Sequence, residues 1–335
     1  MPTQSQVVEA LLKPDAYKEK PNHIEMVQTH ISFVFLTDHF AYKIKKAVNL
    51  GFLDFTTLEK RLFYCEKEVS LNKRLCESMY FGVVPITNSK EIKVGGHGQI
   101  VEYAVKMKKI SQDRMLSKLL DSNQVTYDLI DRIARRISDF HSKAETNEMI
   151  SDFGSQKIIE SNWNENFDQT IEFVGKTIQK NNFDFMHQQI TDFEKSNWAI
   201  FIKRIAEGKI KDCHGDIHSG NIFVDDKIYI FDAIEFNDRF RYADVASDIA
   251  FLAMDLDFKK RQDLSNFFVK KYLEYSSDNG LSELLPFYKC YRAYVRGKVV
   301  SFKLKDPNII GEEKTAAAKE AREYFELAAN YAKEI

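Results

Sequence analysis

Hydrophobic and polar positions alternate in short runs through the first hundred residues, then recur every three or four residues for most of the remaining chain. Residues 5–12 carry apolar positions at helical spacing, and a polar break containing Pro14 follows. Residues 31–36 form a compact β-type run. Thr37, Asp38 and His39 turn it into a second strand over 40–48. Residues 56–76 read as a long helix, with Thr56 or Thr57 as cap and Glu59 in its first turn. Further strands are predicted over 82–87, 91–94 and 99–108, with Gly95, Gly96, His97 and Gly98 as a hairpin turn. From residue 111 the period changes. Helices are predicted over 112–120, 127–143, 163–179 and 193–207, with the polar stretch 145–160 as a surface loop.

One later stretch interrupts this helical pattern. Residues 222–224 and 228–231 are apolar runs separated by Asp225, Asp226 and Lys227, a tight β-hairpin. Asp244 is placed to cap a helix over 244–255, and amphipathic helices follow over 261–277, 281–304 and 312–333. Tyr288, Tyr291, Arg292 and Tyr294 form a stripe on the second of these, the pattern of a core face. The expectation is an α+β protein in two parts: residues 1–108, strand-rich with one long helix, and residues 109–335, helical apart from the hairpin.

Composition narrows the functional classes. The 48 basic and 50 acidic side chains nearly cancel, so no nucleic acid or anionic membrane is called for. The cysteines at 65, 76, 213 and 290 form no C-x-x-C pair and no disulfide framework. The N-terminal residues lack an apolar signal-type core and no run reaches membrane-spanning length, so a cytoplasmic setting is expected.

The chemistry gathers at the hairpin. His214, Gly215 and Asp216 precede it, Asn221 stands just before its first strand, and Asp232 ends its second. Transfer of a phosphoryl group from a nucleotide needs one carboxylate to orient and deprotonate the attacking hydroxyl. It needs further hard oxygen donors to hold Mg²⁺ on the phosphates. The spacing H-x-D-x-x-x-x-N, followed by a second Asp, is that of a kinase catalytic loop.

The segment 213–236 resembles the catalytic core of the aminoglycoside/choline phosphotransferase branch of the protein-kinase-like superfamily, whose loop reads H-G-D-x-H-x-x-N. Gly215 and His218 both fit that branch. The continuation over 235–257 is similar to a bacterial kinase-like family often fused to a P-loop ATPase domain. The resemblance implies a two-lobed kinase-like fold with a small strand-rich N-lobe and a larger helical C-lobe. ATP and Mg²⁺ are the implied cofactors, and a small-molecule hydroxyl the implied acceptor. It implies His214 and Asp216 as catalytic residues, Asp216 being the base, with Asn221 and Asp232 as the metal ligands. By the A-x-K logic of the kinase third strand, Ala41 and Lys43 make Lys43 the phosphate lysine, with Lys45 the fallback. Glu68, on one helical face with Leu71 and Leu75, is its expected ion-pair partner, whereas Glu66 faces solvent. Met107 is placed at the lobe connector as a pocket residue. Asp244 is implied to support the catalytic loop, with Asp248 in support or at the surface. Arg239 and Arg241 are placed either on a substrate anion or in structural pairs, and His141 as a packed helix histidine.

Two departures matter. No glycine occurs before Gly51, so the glycine-rich phosphate loop is replaced around His30, Ile31 and Ser32, where backbone amides or the Ser32 hydroxyl are the candidates. No Walker A motif occurs, so the ATPase of related proteins would be a separate partner. Alternatives stay open: a metal-dependent phosphohydrolase using His214, Asp216, His218 and Asp232, a catalytically weak nucleotide-binding protein, or transfer of AMP.

Overall fold

The computed structural model describes residues 2–335. Taken in chain order, helix α1 (Gln4–Leu11) is opened by a Thr3/Gln6 capping box, in which each side chain satisfies the other's backbone N–H. Strands β1 (Glu25–Gln28), β2 (Ser32–Leu36) and β3 (Phe40–Lys45) precede helix α2 (Leu58–Cys76), and β4 (Tyr80–Asn88), β5 (Ile92–Val94) and β6 (Gln99–Lys108) follow it. Helices α3 (Leu116–Asp121), α4 (Tyr127–Lys143), α5 (Glu148–Ser151), α6 (Gln156–Thr170) and α7 (Lys180–Ala206) lead to strand β7 (Ile210–Asp212). The hairpin is β8 (Ile222–Val224) with β9 (Ile228–Ile230). It is succeeded by β10 (Tyr242–Asp244) and helices α8 (Val245–Phe258), α9 (Gln262–Ser276), α10 (Leu281–Phe302) and α11 (Gly311–Tyr331).

Packing divides the chain into two compact units, residues 1–119 with 220–238 and residues 120–219 with 239–335. The hairpin therefore belongs with the strand-rich unit, where a single cut after Lys108 sets it among the helices. Its apolar sides explain this: Phe223 and Tyr229 enter the same core as Leu36, Ala41, Cys65, Cys76, Val105 and Met107.

In the first unit the sheet is antiparallel throughout, in the order β1-β2-β3-β6-β4-β5. Strand β3 is thus internal, and its lysines do not solvate a strand edge. Strand β1 is missing from the sequence pattern because it is an outer strand whose residues are largely exposed and show no alternation. The glycine cluster 95–98 does not join a hairpin, because β5 pairs with β4 at Ile86–Asn88 and β6 lies on the other side of β4. The chain must cross the end of β4 to reach β6. Gly98 makes that crossing with φ +126°, where an added Cβ would sit 2.6 Å from the Asn88 carbonyl oxygen.

In the second unit α8 is buried from Val245 to Asp257, the signature of a central helix. Around α10, Trp163 meets Phe167, Phe287, Tyr291 and Tyr294, so the tyrosine stripe is core. The stretch 145–160 is not a loop: α5, a 3₁₀ turn and the first turns of α6 occupy most of it, with Asn147 capping α5. Asn147 and Ser155 read as loop residues because residues that favour loops also favour caps. Among the described residues no helix is long and apolar enough to cross a membrane.

Replacing Gly98 with Ala is expected to lower unfolding stability by roughly 1–3 kcal/mol, measured by urea denaturation, through left-handed strain and the clash with Asn88. The same change at Gly96, whose φ is not positive, is expected to cost less.

Candidate functional site

Strand β3 alternates its side chains so that Ala41, Lys43 and Lys45 face the same way. Lys43 Nζ lies 2.9 Å from Glu68 Oε1 and 2.7 Å from Asp232 Oδ1. Lys45 Nζ donates to the other oxygen of Glu68, Oε2, at 2.7 Å, and to Glu235 Oε1. Lys45 and Glu68 are fully buried, while the Asp232 side chain is 44% exposed. On α2, Cys65, Glu68 and Asn72 share the inward face, and Glu66 points to solvent. Asn72 then reaches across: its Nδ2 donates to the Glu68 carbonyl, and its Oδ1 accepts from the Ala233 amide at 2.9 Å.

Electrostatics follow from this placement. Burial opposes charge on Lys43, yet Asp232, Glu68 and Glu235 together hold its pKa well above the ordinary lysine value. Burial likewise opposes the Glu68 carboxylate, and Lys43 and Lys45 bring its pKa down to about 2. For Glu235 burial wins, and its pKa stays above the usual carboxylate range despite Lys45.

Asn221 and Asp232 sit together at the open end of the hairpin, where Ile222 faces Ile230 and the Phe231 amide donates to the Asn221 carbonyl at 3.0 Å. Met107 pairs in register with Ala41 and is 5% exposed within the core. The turn between β1 and β2 is built without glycine. The Thr29 hydroxyl oxygen accepts from the amides of Ile31 at 3.3 Å and Ser32 at 2.9 Å, and the Ser32 side chain is buried. The Ile31 and Ser32 amides considered for a phosphate cradle are therefore turned to the turn itself, and the Ser32 side chain to the interior.

In the second unit, β7 and β10 pair antiparallel and lead into the loop that carries His214 and Asp216. One carboxylate organises this loop. Asp248 accepts from the His214 amide at 2.8 Å and the Gly215 amide at 2.9 Å, while His141 Nε2 lies 3.3 Å from it. Tyr272 holds the other nitrogen of His141 at 2.8 Å, so this packed histidine also orients Asp248. Arg292 Nη1 donates to the Gly215 carbonyl at 2.9 Å, and Asp255 accepts from the Ser219 amide at 2.8 Å. Gly215 has φ +87°, a backbone setting that a side chain would strain. His214 is buried, and its Nδ1 accepts from the Asp216 amide at 3.3 Å.

Asp216 remains partly exposed, 3.6 Å from His218 Nε2. Burial would raise its pKa, but His218, then Arg296 and His214, hold the carboxyl well below the usual range. Loop support thus falls to Asp248. Asp244 instead caps α8 through the Ala246 amide and forms a two-pronged pair with Arg204 at 2.6 and 2.7 Å. The arginines resolve the same way: Arg239 pairs with Glu165, and buried Arg241 with Asp212 at 2.6 Å. Among the described residues, His141, Cys213 and Asp248 bring potential ligand atoms within 4.8 Å of one another, but the hydrogen bonds above account for that cluster.

No family model matches the chain. Uncharacterised proteins of Mycobacterium tuberculosis and Mycobacterium bovis are 33% identical to it over 277 residues, which is 82% of this chain and 54% of theirs. The chain spans about half the length of these relatives. A solved choline/ethanolamine kinase family protein from Mesorhizobium loti superposes with a TM-score of 0.53, 11% identity, and coverage of 98% of this chain and 100% of that one. The fold is that of the aminoglycoside and choline kinases. An aminoglycoside 2′-phosphotransferase solved with GDP shares this kinase-like fold at a TM-score of 0.51 and 10% identity, covering 90% of this chain and 91% of that one.

Glu235, Asn72 and Arg292 bond to candidate groups or to their backbone without having carried a site role in the sequence, whereas Lys45 stood there as the fallback lysine and Asp248 as a support for the loop. Lys45 owed its signal to its place two residues from Lys43 on an alternating strand.

Asp248 generates a pH prediction. Its pKa is brought down to about 2, burial being outweighed by His141, His214 and Arg292. Its folded-state pKa lies below the unfolded value of roughly 3.9, so its stabilisation is full above about pH 4 and is lost as pH falls toward 2. Asp248→Asn is expected to cost about 2–4 kcal/mol at neutral pH, since an amide cannot accept from two amides as a carboxylate does. The variant's stability should also decline less steeply than the native protein's between about pH 4 and 2, as followed by urea titration.

Proposed function

We propose that this protein is a phosphotransferase that moves the γ-phosphoryl group of ATP, with Mg²⁺, onto a hydroxyl of a small molecule. The observation that carries this reading is Lys43, held between the helix carboxylate of Glu68 and the hairpin carboxylate of Asp232. A lysine so placed has a charge to give to phosphate and a glutamate that keeps it in place. The kinase-like fold and the H-G-D-x-H-x-x-N loop support the same reading.

In this reading Lys43 binds the nucleotide phosphates and Glu68 orients it. Asn221 and Asp232 would hold Mg²⁺. They suit it because both offer hard oxygen donors from one end of the hairpin, and the Asp232 carboxylate is open to solvent. When bound, the ion would neutralise charge on the phosphates. Asp216 orients the acceptor hydroxyl and takes its proton. A carboxylate with so depressed a pKa is a weak base, which fits a loose transition state in which the proton leaves late. His214 keeps the Asp216 backbone in place through the hydrogen bond that its Nδ1 accepts from the Asp216 N–H. Met107 belongs to the wall on which adenine would rest. Four buried cysteines, none of them in a disulfide, suit a reducing cytoplasm. The acceptor is open among sugars and small alcohols, and a separate P-loop ATPase acting as a partner belongs to the same proposal.

Thermal melting is the first test. ATP with Mg²⁺ together should raise the melting temperature, by the equivalent of about 2.7 kcal/mol when ligand reaches about 100 times its dissociation constant. GTP serves as the competing nucleotide. A shift with Mn²⁺ or Zn²⁺ alone and none with nucleotide would instead favour the phosphohydrolase. In radiolabelled-ATP turnover assays, Asp216→Asn should abolish turnover while ATP still binds, and retained turnover would refute the base assignment. Lys43→Ala should weaken ATP binding about tenfold or more, by calorimetry, and Lys45→Ala less.

A further inference from the structure

Lys45 and Glu235 have no place in the reaction just described, although they form an almost completely buried ion pair of the first unit. Lys45 is 0% exposed and the Glu235 side chain 4%. Burying two charges costs several kcal/mol per ion unless their partners are well placed, and an apolar pair of similar volume often does better. A buried pair retained at such a cost is best attested where it sets one arrangement against others.

The neighbouring contacts show which arrangement this is. Glu68 divides its oxygens, Oε1 to Lys43 and Oε2 to Lys45, so Lys45 fixes the Glu68 carboxylate independently of Lys43. The segment 232–235 is gripped at three points: Asp232 by Lys43, the Ala233 amide by Asn72, and Glu235 by Lys45. Asp232 itself has φ +64°, a left-handed setting uncommon for a residue with a side chain. Something must hold it there. If Lys43 gives its charge to phosphate and Asp232 its oxygen to a cation, the Lys43–Asp232 bond loosens, and the first of the three grips is lost. The other two remain, and both lead back to α2 or β3. Phe55 lies under Lys45, 5.0 Å from its Nζ, and keeps that end of the pair dry.

We propose that Lys45 and Glu235 are positioning residues whose buried pair clamps the segment 232–235 onto β3 and fixes Glu68 from behind, so that Asp232 stays set for a divalent cation when Lys43 turns to phosphate. This rests on the roles given above to Lys43 and Asp232. The pair touches neither nucleotide nor metal and acts through Glu68 and the backbone of Asp232.

Two readouts test it, one without any ligand. In amide hydrogen exchange on the ligand-free protein, Lys45→Met should speed exchange over 232–236 by about tenfold and leave β6 peptides protected. In melting experiments, the Mg²⁺ concentration giving half of the ATP-dependent shift should rise about fivefold or more, while the shift from metal-free ATP stays within about twofold. Glu235→Gln, which keeps a hydrogen-bonding partner for Lys45, should move both readouts the same way by a smaller factor, and it decides the matter where Lys45→Met fails to fold. A uniform loss of protection across the first unit, or unchanged exchange over 232–236 in Glu235→Gln, would reduce the pair to ordinary stabilisation and overturn the proposal. If the native protein shows no shift with ATP and Mg²⁺, the proposed function fails, and the exchange experiment still judges the clamp.

Discussion

Two lysines on one internal strand cannot both stay charged inside a protein unless carboxylates meet them there, and this requirement organises the first unit. Lys43 and Lys45 bring Glu68 inward from α2, and Asp232 and Glu235 inward from the segment after the hairpin. The partners come from α2 and from the segment after the hairpin, so satisfying the charges also ties sheet, helix and hairpin into one body. The set holds two lysines against three carboxylates, leaving one negative charge in excess beside the exposed Asp232 oxygens.

The second unit solves a different problem with similar means. The loop that carries His214 and Asp216 is not a regular element, so its backbone groups need partners supplied from outside. Asp248, Asp255 and Arg292 provide them from the buried faces of α8 and α10. Because those helices form the core, the loop inherits their rigidity, and Asp216 is presented at a partly open position by a backbone that is bonded on both sides of it.

Much of this was legible in the chain. The alternation of β3 and the three- and four-residue spacing of α2 put Lys43, Lys45 and Glu68 on inward faces, and the resemblance to the kinase third strand singled out Lys43. The hairpin and its acidic turn were equally plain. What escaped notice were partners whose choice depends on tertiary distance. Asp244 and Asp248 are one helical turn apart, and only packing tells which faces the loop and which faces Arg204. Glu235 carries no local mark, because nothing in the sequence around it says that Lys45 is buried behind it. The crossing from β5 to β6 was misread because glycines mark a tight change of direction without saying which strand receives the chain.

The glycine-free turn between β1 and β2 has a thermodynamic consequence. A glycine-rich loop that folds over a phosphate gives up much backbone freedom when it closes, and that loss counts against binding. Here the Thr29 hydroxyl already holds the amides of Ile31 and Ser32, so the turn is ordered before any ligand arrives. An anion bound beside it would gain fewer backbone hydrogen bonds and would order less chain. The heat of binding should be modest and its entropy comparatively favourable, with affinity drawn from a fixed cation instead of a closing flap.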